Sequence, residues 1–179
     1  MSFHGGLAGV AVALVLFCRS RKLEILRLAD LSACFAPIGL FFGRIANFIN
    51  GELPGKITSV PWAMVFCNDY IRRANRGYCP AGEMPRHPSQ LYEAALEGLL
   101  LFTVLQVGLH YDRLQKRPGL LTAIFFTGYG LARFFVEFYR DSESKLFGWF
   151  SMGMALSIPL WMLAAYFFWM SWKPPPAPA

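Results

Sequence analysis

Apolar residues in this chain come in long blocks separated by short polar connectors, not in the alternating or narrow-stripe patterns of a water-soluble fold. Four blocks approach the roughly 20 residues that an apolar helix needs to cross a bilayer: "LADLSACFAPIGLFFGRIANFI", "SQLYEAALEGLLLFTVLQVGL", "GLLTAIFFTGYGLARFFVEF" and "FSMGMALSIPLWMLAAYFFWM". A fifth, "GGLAGVAVALVLFC", is shorter, and its charges Arg19, Arg21 and Lys22 follow it, whereas a secretory signal carries them before its apolar stretch. It reads as a permanent helix. The pattern predicts an all-α, polytopic membrane helix bundle with five transmembrane helices, over about residues 4–18, 28–49, 89–109, 119–139 and 150–170. These form one membrane domain over 1–172, with a long outer loop at about 51–88, and the tail "KPPPAPA" at 173–179 is expected to be a disordered Pro-rich end.

Composition agrees: 55% of residues are hydrophobic against 16% charged, which places the chain in the membrane class, with no nucleic-acid partner expected. The net charge of +6 matters less than where it falls. The basic connectors "RSRKLEILR" and "HYDRLQKRPG" lie on the same side if each block crosses once, and the positive-inside rule makes that side cytoplasmic. The opposite loop holds Lys56, Arg72, Arg73, Arg76 and Arg86 and competes in the same count. Four cysteines form no C-x-x-C pair, which argues against a zinc-ribbon or thioredoxin-type site. Cys67 and Cys79 share the outer loop, either as a disulfide or as free thiols.

With this threading the polar residues converge. His4 opens the first helix on the outer side, Arg44, Asn47 and Asn50 close the second there, and Arg133, Glu137 and Arg140 close the fourth. The last three follow i, i+4, i+7 and so share a face, as do Gln90, Glu93 and Glu97 on the third helix. Ionisable groups at membrane depth are costly and face a polar interior or one another. Glu93 and Glu97 have a plain structural reading as counter-charges for arginines of neighbouring helices, and Arg140 has one as a side chain reaching lipid headgroups. His87 and His110 read as structural, although "RHPS" adjoins the polar region. An arginine-lined pocket at one membrane face calls for an anion, and guanidinium binds phosphate bidentately, so membrane lipids supply the nearest ligand: a phospholipid headgroup. Glu52 and Glu137 are the expected counter-charges of the empty site.

The stretches "SFHGGLAG", "GRIANFINGELPG", "RHPSQLYEAALEG" and "GYGLARFFVEFYR", in this order, resemble the prolipoprotein diacylglyceryl transferases of bacterial plasma membranes. The resemblance implies transfer of a diacylglyceryl group from phosphatidylglycerol to the lipobox cysteine of a prolipoprotein signal peptide. A thioether forms, glycerol phosphate is released, and the resemblance implies neither a metal nor an organic cofactor. It implies catalytic positions at His4, Arg133 and Glu137 and substrate-binding ones at Arg44, Asn47, Glu52 and Gly55; Asn50, Gly51 and Arg140, polar or turn-forming neighbours in the same stretches, join the substrate-binding set. In that scheme Arg44 and Arg133 hold the phosphate, His4 is a candidate base, Glu52 and Glu137 fix the guanidinium forks, Asn47 and Asn50 meet headgroup hydroxyls, and Gly51 and Gly55 give tight turns. The chain departs from the family at Pro54, usually tryptophan, and at Lys56, usually arginine, which keeps charge and loses the planar fork. The resemblance places Met1 inside the family's sequence, implying that two amino-terminal helices are absent. The site is expected near the periplasmic side of the inner membrane. Rival expectations are a transporter or channel with an anion-binding pocket, an inactive truncated fragment, and an intramembrane hydrolase, for which no G-x-S-x-G elbow is present.

Overall fold

The computed structural model describes residues 3–141, 145–147 and 150–172, with side chains described from residue 9 onward except at 113, 145–147, 150 and 152. Helices α1 (Phe3–Arg21) and α2 (Ile25–Asn50) are followed by a loop that contains the short α3 (Asp69–Ala74). One continuous rod then covers Ser89–Leu109. It begins as α4 (Ser89–Glu93), widens into a π-helical segment (Ala94–Leu100) and ends as α5 (Leu101–Leu109). After the short α6 (Asp112–Gln115) come α7 (Leu120–Val136), a small antiparallel pair of β1 (Lys145–Phe147) with β2 (Phe150–Ser151), and α8 (Met152–Ser171). The helical bundle expected from the sequence is present, with this hairpin and the π segment as additions to a purely α-helical design.

Among the described residues, three helices are long and apolar enough to cross a membrane: Ile25–Asn50, Ser89–Leu109 and Gly153–Ser171. At 1.5 Å per residue, α2 with its 26 residues is about 39 Å long, more than a hydrocarbon core of about 30 Å requires. Helix α7 is apolar but has only 17 residues. The outward surfaces are oily: Phe17, Leu31, Phe42, Leu131, Phe135 and Met162 are all exposed, as lipid solvation permits. Inside, Cys34, Leu101, Leu105 and Leu121 form the main buried cluster, flanked by Phe125 and Tyr129.

Contacts at the two ends agree with alternate up and down threading. At one end the Asp30 carboxylate of α2 accepts hydrogen bonds from the N–H of Gly119 (2.7 Å), the N–H of Thr122 (2.8 Å) and the Thr122 hydroxyl (2.7 Å). It thereby caps the first turn of α7 from another helix, where amides lack intrahelical partners. Arg117 lies over the Trp172 ring at the same end, 5.2 Å from its centroid. The opposite end gathers Asn50, the start of the rod, the end of α7 and the start of α8.

Helix α1 runs on to Arg21 where the sequence predicts 18, and α2 begins at Ile25 where it predicts 28; two further boundaries differ next to the polar end. The fourth helix stops at Val136, not 139, because the Tyr139 carbonyl accepts from the Lys56 N–H (2.8 Å) and Arg140 pairs in a bridge with Gly55, which draws the backbone out of the helix. The fifth helix starts at Met152, not 150, because residues 150–151 belong to the hairpin and the Ser151 hydroxyl then caps α8 by accepting from the Met154 N–H (3.2 Å). In the outer loop Cys67 and Cys79 form a disulfide with Cα atoms 5.3 Å apart, bracketing α3. Asn68 caps α3, and Ile71 packs with Phe66, Ala81 and Phe48 of α2.

Candidate functional site: an arginine and carboxylate cluster beside a cavity

Gly98, in the π-helical segment, rests against Phe41 of α2 so closely that a Cβ there would lie 2.7 Å from the Phe41 Cβ. Small residues permit such approach between membrane helices. One turn further along α2, this contact brings Arg44 level with Glu93 and Glu97. The Arg44 Nε sits 3.1 Å from Glu93 Oε2, and its Nη2 and Nε donate to Glu97 Oε2 at 3.1 and 3.3 Å. From α7, Arg133 Nη1 donates to Glu93 Oε1 and stands 3.7 Å from Glu97 Oε1. Its Nη2 is 4.0 Å from Glu137 Oε2, and Arg140 Nη1 is 3.6 Å from Glu93 Oε1. Glu93 therefore touches all three guanidinium groups.

Three arginines and three carboxylates balance in formal charge, which is how a buried ionic cluster avoids the cost of an unpaired ion. The main counter-charges are Glu93 and Glu97, with side chains 1% and 0% exposed, and not Glu52. Glu52 is exposed and its carboxylate makes no ion pair among the described residues, although its carbonyl accepts from Gln90 Nε2 at 2.6 Å. Three buried oxygens, Gln90 Oε1, Glu97 Oε1 and Glu137 Oε2, have no hydrogen-bond partner among the described residues.

A cavity of about 1310 Å³ opens beside this cluster. Of the residues singled out from the sequence, Asn50, Gly51, Glu52, Arg133, Glu137 and Arg140 line it. Arg44, Asn47 and Gly55 do not; Arg44 stands behind, committed to Glu93 and Glu97. His4 lies on the backbone of α1, and its side chain falls outside the described residues, as does the 173–179 tail. Arg133 makes one described side-chain hydrogen bond and Arg140 none, so most of their N–H donors are uncommitted where they line the cavity. Burial, and then the neighbouring charge of Arg133, push the Arg140 pKa below its ordinary value, with Glu93 and Glu137 pulling it back. An anion bound there would relieve that strain on the cation.

The glycines have separate reasons. Gly51 takes φ +68° and ends α2, its N–H bonding the Phe48 carbonyl (3.2 Å) while the Glu52 N–H bonds that of Asn47 (2.9 Å), the expected left-handed turn. Gly55 is not left-handed. It is threaded between two strand-like segments, its N–H on the His87 carbonyl (2.9 Å), and a Cβ would lie 2.6 Å from the His87 carbonyl oxygen and 2.7 Å from that of Tyr139.

From the sequence Arg86 counted only as a loop charge and Asp141 was not singled out, yet both line the cavity and pair at 2.5 Å, with Arg86 Nη1 also donating to the Gly55 carbonyl (3.1 Å). The charge of Arg86 next to "HPS" was a signal; its partner, 55 residues away, was not. On the flank of α7 an apolar cleft of about 440 Å³, between Leu100, Val104, Ile124, Gly128, Leu131 and Phe135, offers hydrocarbon-compatible surface.

Comparison with known proteins gives the chain a family. The family model described as prolipoprotein diacylglyceryl transferase matches residues 1–170. Relatives named phosphatidylglycerol–prolipoprotein diacylglyceryl transferase include one from Caulobacter sp. (strain K31), 51% identical over 99% of this chain and 60% of its own length. Another, from Phenylobacterium zucineum, is 47% identical over 100% of this chain and 63% of its own. A third, from Rhodospirillum rubrum, is 50% identical over 89% and 56%. The chain thus spans about 60% of the length of the curated relatives it matches. With the match running through α2, the rod, α7 and α8, the chain belongs to the prolipoprotein diacylglyceryl transferase family.

Proposed function

We propose that the chain works in transfer of the diacylglyceryl group of phosphatidylglycerol to the lipobox cysteine of a prolipoprotein, as a bundle with five membrane spans whose cavity faces the periplasmic side. The observation that carries this reading is the pair Arg133 and Arg140, set in the cavity wall with free donors and backed by buried carboxylates. A lipid phosphate meets these guanidinium groups by fork-like hydrogen bonds. The thiol of the incoming cysteine gives up its proton, sulfur attacks the terminal glycerol carbon, and the carbon–oxygen bond to phosphate breaks with its electron pair leaving on glycerol phosphate. Arg133 and Arg140 stabilise that departing charge. Arg44 orders Glu93 and Glu97 from behind, which differs from a role in gripping the phosphate directly. His4 is the proposed proton acceptor, since neutral imidazole accepts a proton near neutral pH. Asn50 reaches the headgroup hydroxyls from the end of α2.

Transport is disfavoured by the apolar cluster Cys34, Leu101, Leu105 and Leu121 that fills the other half of the bundle among the described residues. The test is direct: membranes containing this chain are incubated with phosphatidylglycerol labelled in its acyl chains and with a lipobox peptide. Label on the peptide cysteine in a thioether, with stoichiometric glycerol phosphate, is the expected result. Unmodified peptide over membranes lacking the chain contradicts the reading.

A further inference from the structure

Glu97 sits in the middle of the π-helical segment, fully buried, and its two oxygens are treated differently. Oε2 accepts two hydrogen bonds from Arg44. Oε1 accepts none among the described residues and lies 3.7 Å from Arg133 Nη1, near enough for attraction and too far for a hydrogen bond. Arg44 is thus locked, while Arg133 is held on the Glu97 side by charge alone and can swing its spare donors to the cavity. Wide π turns are rare and cluster at functional sites, and this one sets Glu97 at the level where α2 and α7 both present an arginine.

Building on the reading above, we infer that Glu97 is a positioning residue. Its locked oxygen fixes Arg44, and its free oxygen stands in for the headgroup phosphate at Arg133 until an anion arrives. Phosphate binding then trades a loose carboxylate contact for charge-assisted hydrogen bonds, and the balanced cluster gains one negative charge only while substrate is bound. The stand-in anion keeps Arg133 oriented in the empty site and weakens ground-state binding, because phosphate must compete with it.

The predicted signature separates this from a packing role. Glu97→Gln keeps the shape and removes one negative charge at close range, so vesicle-borne phosphatidylglycerol should bind roughly tenfold more tightly, while turnover falls by about tenfold or more as Arg44 and Arg133 lose their fixed spacing. The double variant Arg44→Gln with Glu97→Gln restores charge balance and should return affinity to within about threefold of the parent. Both are measured by titration with phosphatidylglycerol vesicles in a phosphatidylcholine background, with soluble glycerol phosphate as a second arm. Tightening in both arms assigns the effect to the phosphate; tightening for the lipid alone places it on the acyl chains and overturns the proposal. Weaker or unchanged binding by Glu97→Gln also overturns it, as does a double variant that binds as tightly as the single one. Should Glu97→Gln not fold, Glu97→Asp serves instead: its shortened carboxylate should likewise tighten binding and slow turnover, and parallel loss of both would refute the inference. A parent chain that binds neither ligand defeats the transfer reading itself, an outcome distinct from these.

Discussion

Glu93 holds the cluster together, and its removal has a calculable consequence. Its side chain is 1% exposed and faces Arg44 at 3.1 Å, Arg133 within hydrogen-bond reach and Arg140 at 3.6 Å. Glu93→Gln conserves volume, so the loss is electrostatic: three half-buried cations keep two carboxylates, and an amide N–H₂ can turn toward them. Breaking a buried pair by removing one partner costs about 3–5 kcal/mol. Arg133 and Arg140 are 15% and 18% exposed and open on the cavity, where water can solvate them, so the lower end, about 3 kcal/mol, is the working figure. Against a typical total of about 5–15 kcal/mol this is large, and for a chain of this size it shifts the melting temperature down by about 6–12 °C. The assay is thermal melting of the purified chain in a mild detergent, followed by loss of the monodisperse peak, with Glu52→Gln as an exposed-carboxylate control that should melt with the parent. A Glu93→Gln variant melting within about 2 °C of the parent would show that the cluster does not need its hub.

At the opposite end, Asp30→Ala removes three hydrogen bonds to the start of α7 and should destabilise by about 1–3 kcal/mol without changing lipid affinity; a change in affinity with no loss of stability would contradict the capping role. A Cβ at residue 153 would meet the Glu137 carboxylate, 2.8 Å from Oε1, so Gly153→Ala should impair transfer and Glu137→Asp in the same chain should recover part of it. Failure of any such recovery would indicate that the two residues act separately. Reducing the Cys67–Cys79 disulfide removes a link across a 12-residue separation, of a size that contributes about 3 kcal/mol by loop-closure entropy, and should expose residues 68–78 to protease while the helices persist. Equal protection with and without reductant would place the loop's stability in the Phe66 and Ile71 packing instead.

The helices were readable because each needs only its own apolar length: the rod at 89–109 has the predicted bounds, and α2 differs by a few residues at its start. Where boundaries moved, the cause was non-local. Nothing in "VEFYR" announces that Lys56, 83 residues earlier, will capture the Tyr139 carbonyl and end α7 at Val136. The polar faces were legible from spacing, and so was the gathering of arginines and asparagines at one end. So was the pairing of Glu93 and Glu97 with arginines of neighbouring helices; which arginine meets which oxygen was not, because it depends on a close contact between Gly98 and Phe41 that spacing does not encode. Glu52 looked like a counter-charge through nearness in sequence to Arg44, yet α2 ends between them at Gly51 and the loop carries Glu52 outward. The role of Gly55 also belongs to packing, since its neighbours, His87 and Tyr139, come from other parts of the chain.

In the proposed transfer a headgroup phosphate sits against Arg133 and Arg140, with Arg44 one layer behind. Nitrogen–phosphorus dipolar recoupling by solid-state NMR tests this most directly, with arginine side chains labelled with nitrogen-15, phosphatidylglycerol bilayers, and each arginine assigned by its lysine variant. Dephasing of the Arg133 and Arg140 guanidinium signals and none for Arg44 is the expected result; coupling at Arg44 alone, or at none of the three arginines, would refute a phosphate seated there.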